Sequence, residues 1–330
     1  MKSIRDSIVE VLRSDGSYVS GQELGTRLGV SRAAIWKHVR ALQRDGYGIE
    51  SRHACGYRLR EIPDSLERAL STDTGCRVRT RWLGGRAVFK HSTGSTNDDA
   101  LELGRRGSPH GTVVFAEEQR SGRGRLGRGW ESTRGVNLYL SILLRPAIIP
   151  AQAPQLSLLA GVAVAEALER FGVTACIKWP NDVVVEGRKL CGILTEMIAE
   201  TDRVECIVVG IGVNLNSMPS DFSPGLRAKA TSVRAVTGRT VDRAAFLRTL
   251  LEVFEHVYGA FESAGFAGVA SRWRRRSYLQ GRRVDIEGVG ESLAGRCVGI
   301  DDDGALLVDT GGKNPVRVIA GDVSLQGAYP

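Results

Sequence analysis

Apolar residues recur at helical spacing from the start of the chain. Ile4, Ile8, Val11 and Leu12 form one stripe and predict a first helix ending near Gly16. Ser20 suits the N-cap of a second helix running through Leu28. Gly29 supplies a tight turn, Ser31 caps a third helix with Ile35, Val39 and Leu42 on its buried face, and Gly46 ends it. Two short helices about a glycine turn make a helix-turn-helix. The run 49–59 predicts a hairpin with Arg52, His53 and Gly56 near its tip, which is a wing. Pro63 ends regular structure, and an amphipathic stretch begins at Ser65.

Further on, continuous apolar runs at 113–116, 136–144 and 206–209 predict buried strands. After the basic run 272–276 come short β-like runs at 283–287, 294–300, 305–309 and 316–319, separated by turns such as Asp301-Asp302-Asp303-Gly304. They predict a small all-β barrel. The breaks divide the chain into 1–62, 63–276 and 277–330, within the two to three domains that 330 residues suggest.

Composition removes whole classes. Hydrophobic residues at 42% and charged residues at 25% exclude wholesale disorder. No apolar run approaches the ~20 residues of a membrane helix. The N-terminus carries charges throughout and has no signal-peptide core, so a cytoplasmic protein is expected. Cysteines 55, 76, 176, 191, 206 and 297 form no CxxC pair and have no histidine at finger spacing. Free thiols fit better than a zinc site or a disulfide framework.

The net charge of +8 is uneven. Residues 1–62 hold 11 basic against 7 acidic residues, half the excess in under a fifth of the chain. That basic head points to nucleic acid. In a helix-turn-helix the second helix enters the major groove, early residues first. Ser31, Arg32, Ala33 and Trp36 are then placed at base edges, with packing against the wing or a sugar as the other use of Trp36, while Lys37 and Arg40 reach phosphates and the wing's Arg52 is a further DNA-contact candidate. The competing use of such a unit is a small dimerisation bundle.

The central segment carries Gly122-Arg123-Gly124-Arg125-Leu126-Gly127-Arg128-Gly129-Trp130. Gly122, Gly124 and Gly127 satisfy G-x-G-x-x-G, but a dinucleotide fingerprint must open a helix, and an apolar strand follows instead. Alternating Gly and Arg reads better as a loop that folds over a polyanion. A solvated basic loop or an RNA-binding segment are the other uses of that composition. Ser95-Thr96-Asn97 offers hydroxyls, an amide and a helix N-terminus. Lys178-Trp179-Pro180-Asn181-Asp182 ends a strand in a turn and leads to Lys189. Gly210-Ile211-Gly212-Val213-Asn214-Leu215-Asn216 reads as a glycine turn after the strand 206–209. Gly-rich turns and cations at successive strand ends are how ligand sites are built.

In combination these motifs resemble the biotin–protein ligases, most closely the bifunctional type that also represses the biotin operon. The resemblance covers nearly the whole chain. It implies an α+β protein with a winged helix-turn-helix, a central class II synthetase-like α/β ligase domain and a C-terminal SH3-like β-barrel. It implies biotin contacts at Ser95, Thr96, Asn97, Gln119, Arg123, Gly124, Arg125, Lys189, Gly210 and Val213. ATP contacts fall on Gly122, Arg128, Trp130, Asn181, Lys189 and Asn214, with Asp182 toward Mg²⁺. Lys189, Arg125 and Arg128 are the implied catalytic cations. Implied partners are a biotin carboxyl carrier protein, operator DNA and a second copy of the chain once biotinyl-AMP is bound. Lipoate or octanoate transfer, a ligase whose head is no repressor, and a non-catalytic ligand sensor are the alternatives. Leu126 departs from the resemblance, standing where the repressor-type loop carries another Arg. Cys191 replaces a small residue in Lys189-Leu190-Cys191-Gly192 and reads as a packed thiol.

Overall fold

The computed structural model describes residues 4–44, 47–61, 66–70, 78–201, 203–288 and 292–325. It divides into two compact units, Met1–Arg77 and Val78–Pro330. The expected helix end at Gly46, the expected domain boundary at 62/63 and the start of the amphipathic stretch at Ser65 lie outside the described residues.

The first unit comprises α1 (Ile4–Asp15), α2 (Gly21–Leu28), α3 (Arg32–Arg44), β1 (Gly48–Arg52) and β2 (Gly56–Glu61). Ile8, Leu12, Leu24, Ile35, Val39 and Leu42 meet in one buried cluster, so the helical stripes face inward together. Ser20 Oγ accepts from Glu23 N at 3.1 Å and Ser31 Oγ from Ala34 N at 3.2 Å, satisfying free N–H groups at the two helix starts. Gly29 adopts φ 68°, the left-handed conformation that the turn between α2 and α3 requires. β1 and β2 pair antiparallel as the wing.

In chain order the second unit runs β3 (Ala87–Lys90), α4 (Thr96–Arg105), β4 (Thr112–Ala116), β5 (Leu138–Leu144), α5 (Pro154–Glu169), β6 (Cys176–Lys178), β7 (Asp182–Val185), β8 (Arg188–Ala199) and β9 (Val204–Val213). It continues with α6 (Val233–Thr237), α7 (Arg243–Ala264), α8 (Ala267–Arg274), β10 (Arg283–Glu287), β11 (Leu293–Ile300), β12 (Leu306–Asp309), β13 (Val316–Val318) and β14 (Asp322–Leu325). β3 to β9 form one seven-stranded sheet in the order β3-β4-β5-β9-β8-β7-β6. β3 and β4 pair in parallel and the other neighbours antiparallel. α4 packs on one face, where Ala100, Val114, Leu143, Cys206 and Val208 form a buried cluster. α5 covers the other face with α7 behind it. Packed on both sides, α5 buries nearly its whole circumference, which explains its almost uniformly apolar sequence.

β10 to β14 form a second sheet, β13-β12-β11-β10-β14. Four of its strands lie where the apolar runs placed them. The fifth, β14, is too short and polar to register as a run. The turn 301–304 docks this sheet to the core: Trp179 Nε1 donates to Gly304 O at 3.0 Å and Gln155 Nε2 to Asp303 O at 3.1 Å. In the basic run 272–276, two arginines tie to α5 and one reaches this turn. Arg272 pairs with Glu166, Arg276 with Glu169 at 2.8 Å, and Arg274 with Asp302 at 2.7 Å.

One expected turn is corrected. Gly210 to Val213 are not a turn after a strand but the last residues of β9, paired with β5 and β8. Gly192 likewise lies inside β8. Side chains from elsewhere occupy the space over these glycines, so the strand continues where its sequence suggested a break.

Candidate active site

The α4 face of the sheet opens into a cavity of about 660 Å³. Its walls include Ser95, Thr96, Asn97, Gln119, Arg123, Gly124, Arg125, Arg128, Trp130, Asn181, Asp182, Lys189, Gly210 and Asn214. Two expected residues are not among its walls. Val213 is fully buried in β9, and Gly122 lies at the foot of the Gly-Arg loop, where its carbonyl accepts from Trp130 N at 2.8 Å.

One end of the cavity is neutral and tightly bonded. Thr96 N and Thr96 Oγ1 both donate to Gln119 Oε1, at 2.9 and 3.0 Å. Ser141 Oγ, from the middle of β5, lies 2.7 Å from Thr96 Oγ1 and 2.6 Å from Asn97 Oδ1. Asn97 Nδ2 donates to Leu194 O at 3.2 Å and to Glu196 Oε2 at 2.7 Å. A Cβ at position 210 would lie 2.2 Å from Asn97 Oδ1, so only glycine admits this amide against β9. Sequence reasoning missed Ser141 and Glu196. Ser141 had a signal: it is the one hydroxyl inside the buried core of Leu138–Leu144 that does not belong to an aromatic ring. Glu196 had none.

The other end is charged. Lys189 Nζ stands 2.7 Å from Asp182 Oδ1 and 5.5 Å from the centre of the Trp130 ring. That ring covers two strand glycines: a Cβ at Gly212 would come within 2.5 Å of it and one at Gly192 within 2.8 Å. Arg125 reaches Asn181 Oδ1 at 3.3 Å, Gly321 O at 3.1 Å and Asp322 Oδ1 at 3.4 Å. Arg128 pairs with the same Asp322 carboxylate. β14 thus contributes an acid to the cavity, which no local pattern signalled. Lys178 and Lys229 add two further cations to the wall.

Arg123, expected at the biotin, is among the cavity's walls, and its guanidinium has a protein partner. The fork is gripped by Asp98, at 2.7 and 2.5 Å, with Glu196 3.5 Å away. This bidentate pair raises the Arg123 pKa and holds the Asp98 carboxyl below its usual value. Arg123 anchors the loop base, and the neighbouring Gly124 lines the cavity through its backbone. Leu126 sits at the loop tip, 76% exposed, with φ 53°. Cys191 is buried, and burial pushes its thiol pKa up, so it is neutral and unreactive at neutral pH.

In the first unit, Ser31, Arg32, Ala33, Trp36, Lys37, Arg40 and Arg52 are all exposed. Trp36 is 55% exposed, with the Arg40 guanidinium 5.7 Å from its ring centre. Arg40 therefore lies over the indole of the same helix. Among the described residues no group of three His, Cys, Asp or Glu is arranged to hold a metal, and no helix is long and apolar enough to cross a membrane.

A mixed sheet with a neutral pocket at a helix start and a cationic pocket beside it is the arrangement of a carboxylate-activating protein ligase. Residues 89–214 match the Biotin/lipoate A/B protein ligase family, 5–58 a helix-turn-helix domain and 280–326 the Biotin protein ligase C terminal domain. The chain is 35% identical over 325 residues to the bifunctional ligase/repressor BirA of Bacillus subtilis, covering 98% of this chain and 99% of that one. It is 34% identical to the protein of the same name from Escherichia coli, over 96% of each. The solved biotin protein ligase of Aquifex aeolicus, in complex with biotin and ATP, superposes with TM-score 0.64 at 29% identity, covering 73% of this chain and 99% of that one. The chain belongs to the biotin protein ligase family, in its bifunctional ligase/repressor branch.

Proposed function

We propose that this chain joins biotin to ATP as biotinyl-5'-AMP, transfers biotin to a lysine of a carboxyl carrier domain, and represses transcription in response to the same ligand. The observation that carries the enzymatic reading is the single cavity with two unlike ends. The neutral end, with Ser95, Thr96, Asn97 and Gln119, suits an uncharged cyclic urea. A dithiolane ring has no N–H or carbonyl to satisfy those groups, which disfavours lipoate. The charged end, with Lys189, Arg125 and Arg128, suits a carboxylate meeting a triphosphate.

In the first step a biotin carboxylate oxygen attacks the α-phosphorus of ATP. The bond to the β-phosphate breaks and pyrophosphate leaves. Two anions must approach, and negative charge grows on the leaving phosphates. Lys189, Arg125 and Arg128 are placed to stabilise it, and preorganised electrostatics of this kind is usually the largest catalytic term. Asp182 is the carboxylate suited to Mg²⁺, because Mg²⁺ is commonly held by one or two carboxylates together with substrate phosphates. That ion would neutralise phosphate charge.

In the second step the acceptor lysine amine attacks the acyl carbon and AMP leaves. The mixed anhydride is already activated, so no enzyme nucleophile is required. Among the described residues no His or Cys lines the cavity. The Gly-Arg loop and the segment 217–232 are the elements suited to excluding water from the anhydride. Their ordering around the ligand is proposed to favour a homodimer, whose paired heads bind a two-half-site operator.

Biotin-dependent pyrophosphate release and labelling of a carrier domain test the enzymatic reading. Lys189→Ala is expected to nearly abolish release, and Arg125→Gly to let biotinyl-AMP escape before transfer. Full activity in both variants contradicts the assigned site. Sedimentation with and without biotin plus ATP tests the coupling. A chain that stays monomeric and still binds operator contradicts it.

A further inference from the structure

We propose that Glu196 is a positioning residue that sets ligand specificity by locking the Asn97 amide with its oxygen toward the ligand. The proposal rests on the biotin-binding reading of the neutral pocket.

An amide nitrogen carries two hydrogens. At Asn97 both are taken, one by Leu194 O at 3.2 Å and one by Glu196 Oε2 at 2.7 Å. The amide oxygen has two acceptor positions and, among the described residues, one hydrogen-bond donor, Ser141 Oγ at 2.6 Å. Ser141 has a single proton and also lies 2.7 Å from Thr96 Oγ1, so the Asn97 oxygen keeps an acceptor position for a ligand. Asn97 is 4% exposed and lines the cavity, where an unmatched acceptor is costly. The subsite therefore demands a donor. A cyclic urea N–H is such a donor; an ether oxygen, a methylene or a sulfur is not.

Glu196 decides this polarity. Rotating the Asn97 amide by half a turn would set its oxygen against the Glu196 carboxylate and the Leu194 carbonyl, with three acceptors together and none donating. With an uncharged, non-accepting residue at 196, only the Leu194 carbonyl opposes that rotation. Glu196 is held in turn: Arg123 Nη2 lies 3.5 Å from its Oε1, and Asp98 fixes the Arg123 fork. The series Asp98, Arg123, Glu196, Asn97 runs from the start of α4 through the loop base to β8 and back. Glu196 is not among the cavity walls, so it acts through Asn97 rather than on the ligand.

The experiment measures the Kd of biotin, and of a biotin analogue with both ureido nitrogens methylated, for the full chain and for Glu196→Ala and Glu196→Gln. Steady-state ATP–pyrophosphate exchange is measured alongside. Glu196→Ala is expected to raise the biotin Kd roughly ten- to hundredfold while the analogue Kd moves by about twofold or less, so discrimination collapses. Its kcat at saturating biotin and its KM for ATP should stay near wild type. Glu196→Gln keeps an acceptor for Asn97 Nδ2 and should recover most of the discrimination. Equal losses for biotin and analogue, unchanged discrimination in Glu196→Ala, or a Gln variant no better than Ala each overturn the proposal. A wild-type chain that binds no biotin overturns the functional reading beneath it as well, which separates the two failures.

Discussion

The two ends of the cavity are built on different principles. At the neutral end the polar groups hold one another in place: Thr96 to Gln119, Ser141 to Thr96 and Asn97, Asn97 to Leu194 and Glu196. At the charged end the cations hold carboxylates of the protein itself, Lys189 on Asp182 and Arg125 and Arg128 on Asp322. The first end is a finished mould. The second holds exchangeable pairs, in which a substrate phosphate competes with a carboxylate for the same donors. One end selects; the other does chemistry. Binding energy that is equal in ground and transition states lowers KM, whereas interactions that strengthen with developing charge raise kcat.

The largest expected effect breaks the charged end. Lys189→Ala should lower kcat for adenylate formation by about 10²- to 10³-fold, the range for removing one preorganised group from developing charge, with KM for biotin changing little. Quenched-flow detection of biotinyl-AMP checks it. Next come two glycines on one strand. Gly210→Ala drives a Cβ to 2.2 Å from Asn97 Oδ1, while Gly212→Ala drives one to 2.5 Å from the Trp130 ring. Each overpacks its site by an amount worth about 1–3 kcal/mol. Calorimetry should show Gly210→Ala weakening biotin and Gly212→Ala weakening nucleotide. The same loss profile in both variants would erase the distinction between the ends.

A smaller effect belongs to Asp322→Ala. It releases Arg125 and Arg128 from the barrel's carboxylate and should change KM for ATP by about tenfold or less, consistent with exposed pairs being individually weak. Biotin Kd should not move. Cysteine labelling is a further check on packing: Cys55 is exposed, and Cys191, Cys206 and Cys297 are buried with thiol pKa values raised by burial. Mass spectrometry after brief alkylation should find Cys55 modified well before those three.

The smallest effect is on stability. His110 lies against Trp82 and Tyr258, its Nδ1 accepts from Arg145 N at 3.0 Å, and burial first, then the Arg145 charge, lowers its pKa. Folding therefore favours the neutral ring. Its contribution is fully present above about pH 6.5, the ordinary histidine value, and is lost as pH falls toward the lowered pKa. Thermal unfolding below pH 6.5 should depend on pH less steeply in His110→Gln than in wild type.

The neutral and charged ends also differ in how much of them the sequence made legible. Ser95, Thr96, Asn97 and Lys189 stood out because polar groups clustered beside predicted strands. Arg125 and Arg128 stood out because glycines spaced them. The N-terminal head was legible almost throughout, since its caps, turn glycine and apolar stripes are local signals. What stayed hidden depends on tertiary contact. Asp322 enters the cavity only because a distant strand docks there. Glu196 matters only because Asn97 lies across the sheet from it. Gly210 and Gly212 read as a turn because a strand glycine and a turn glycine are alike in sequence. Their reason, the Asn97 amide and the Trp130 ring, comes from other segments. Nothing in the Gly-Arg spacing revealed that Asp98 would grip the Arg123 fork.

The most direct test of a selecting end joined to a reacting end is the biotin saturation curve of ATP–pyrophosphate exchange. It should be measured for the wild-type chain, Lys189→Ala and Ser141→Ala under one set of conditions. Ser141→Ala removes the donor shared by Thr96 and Asn97 and leaves every cation in place. The expected result is a split: Lys189→Ala flattens the plateau at nearly unchanged half-saturation, and Ser141→Ala shifts half-saturation upward with the plateau retained. Two curves that lose plateau height alike, or exchange in the wild type that does not depend on biotin, would contradict it.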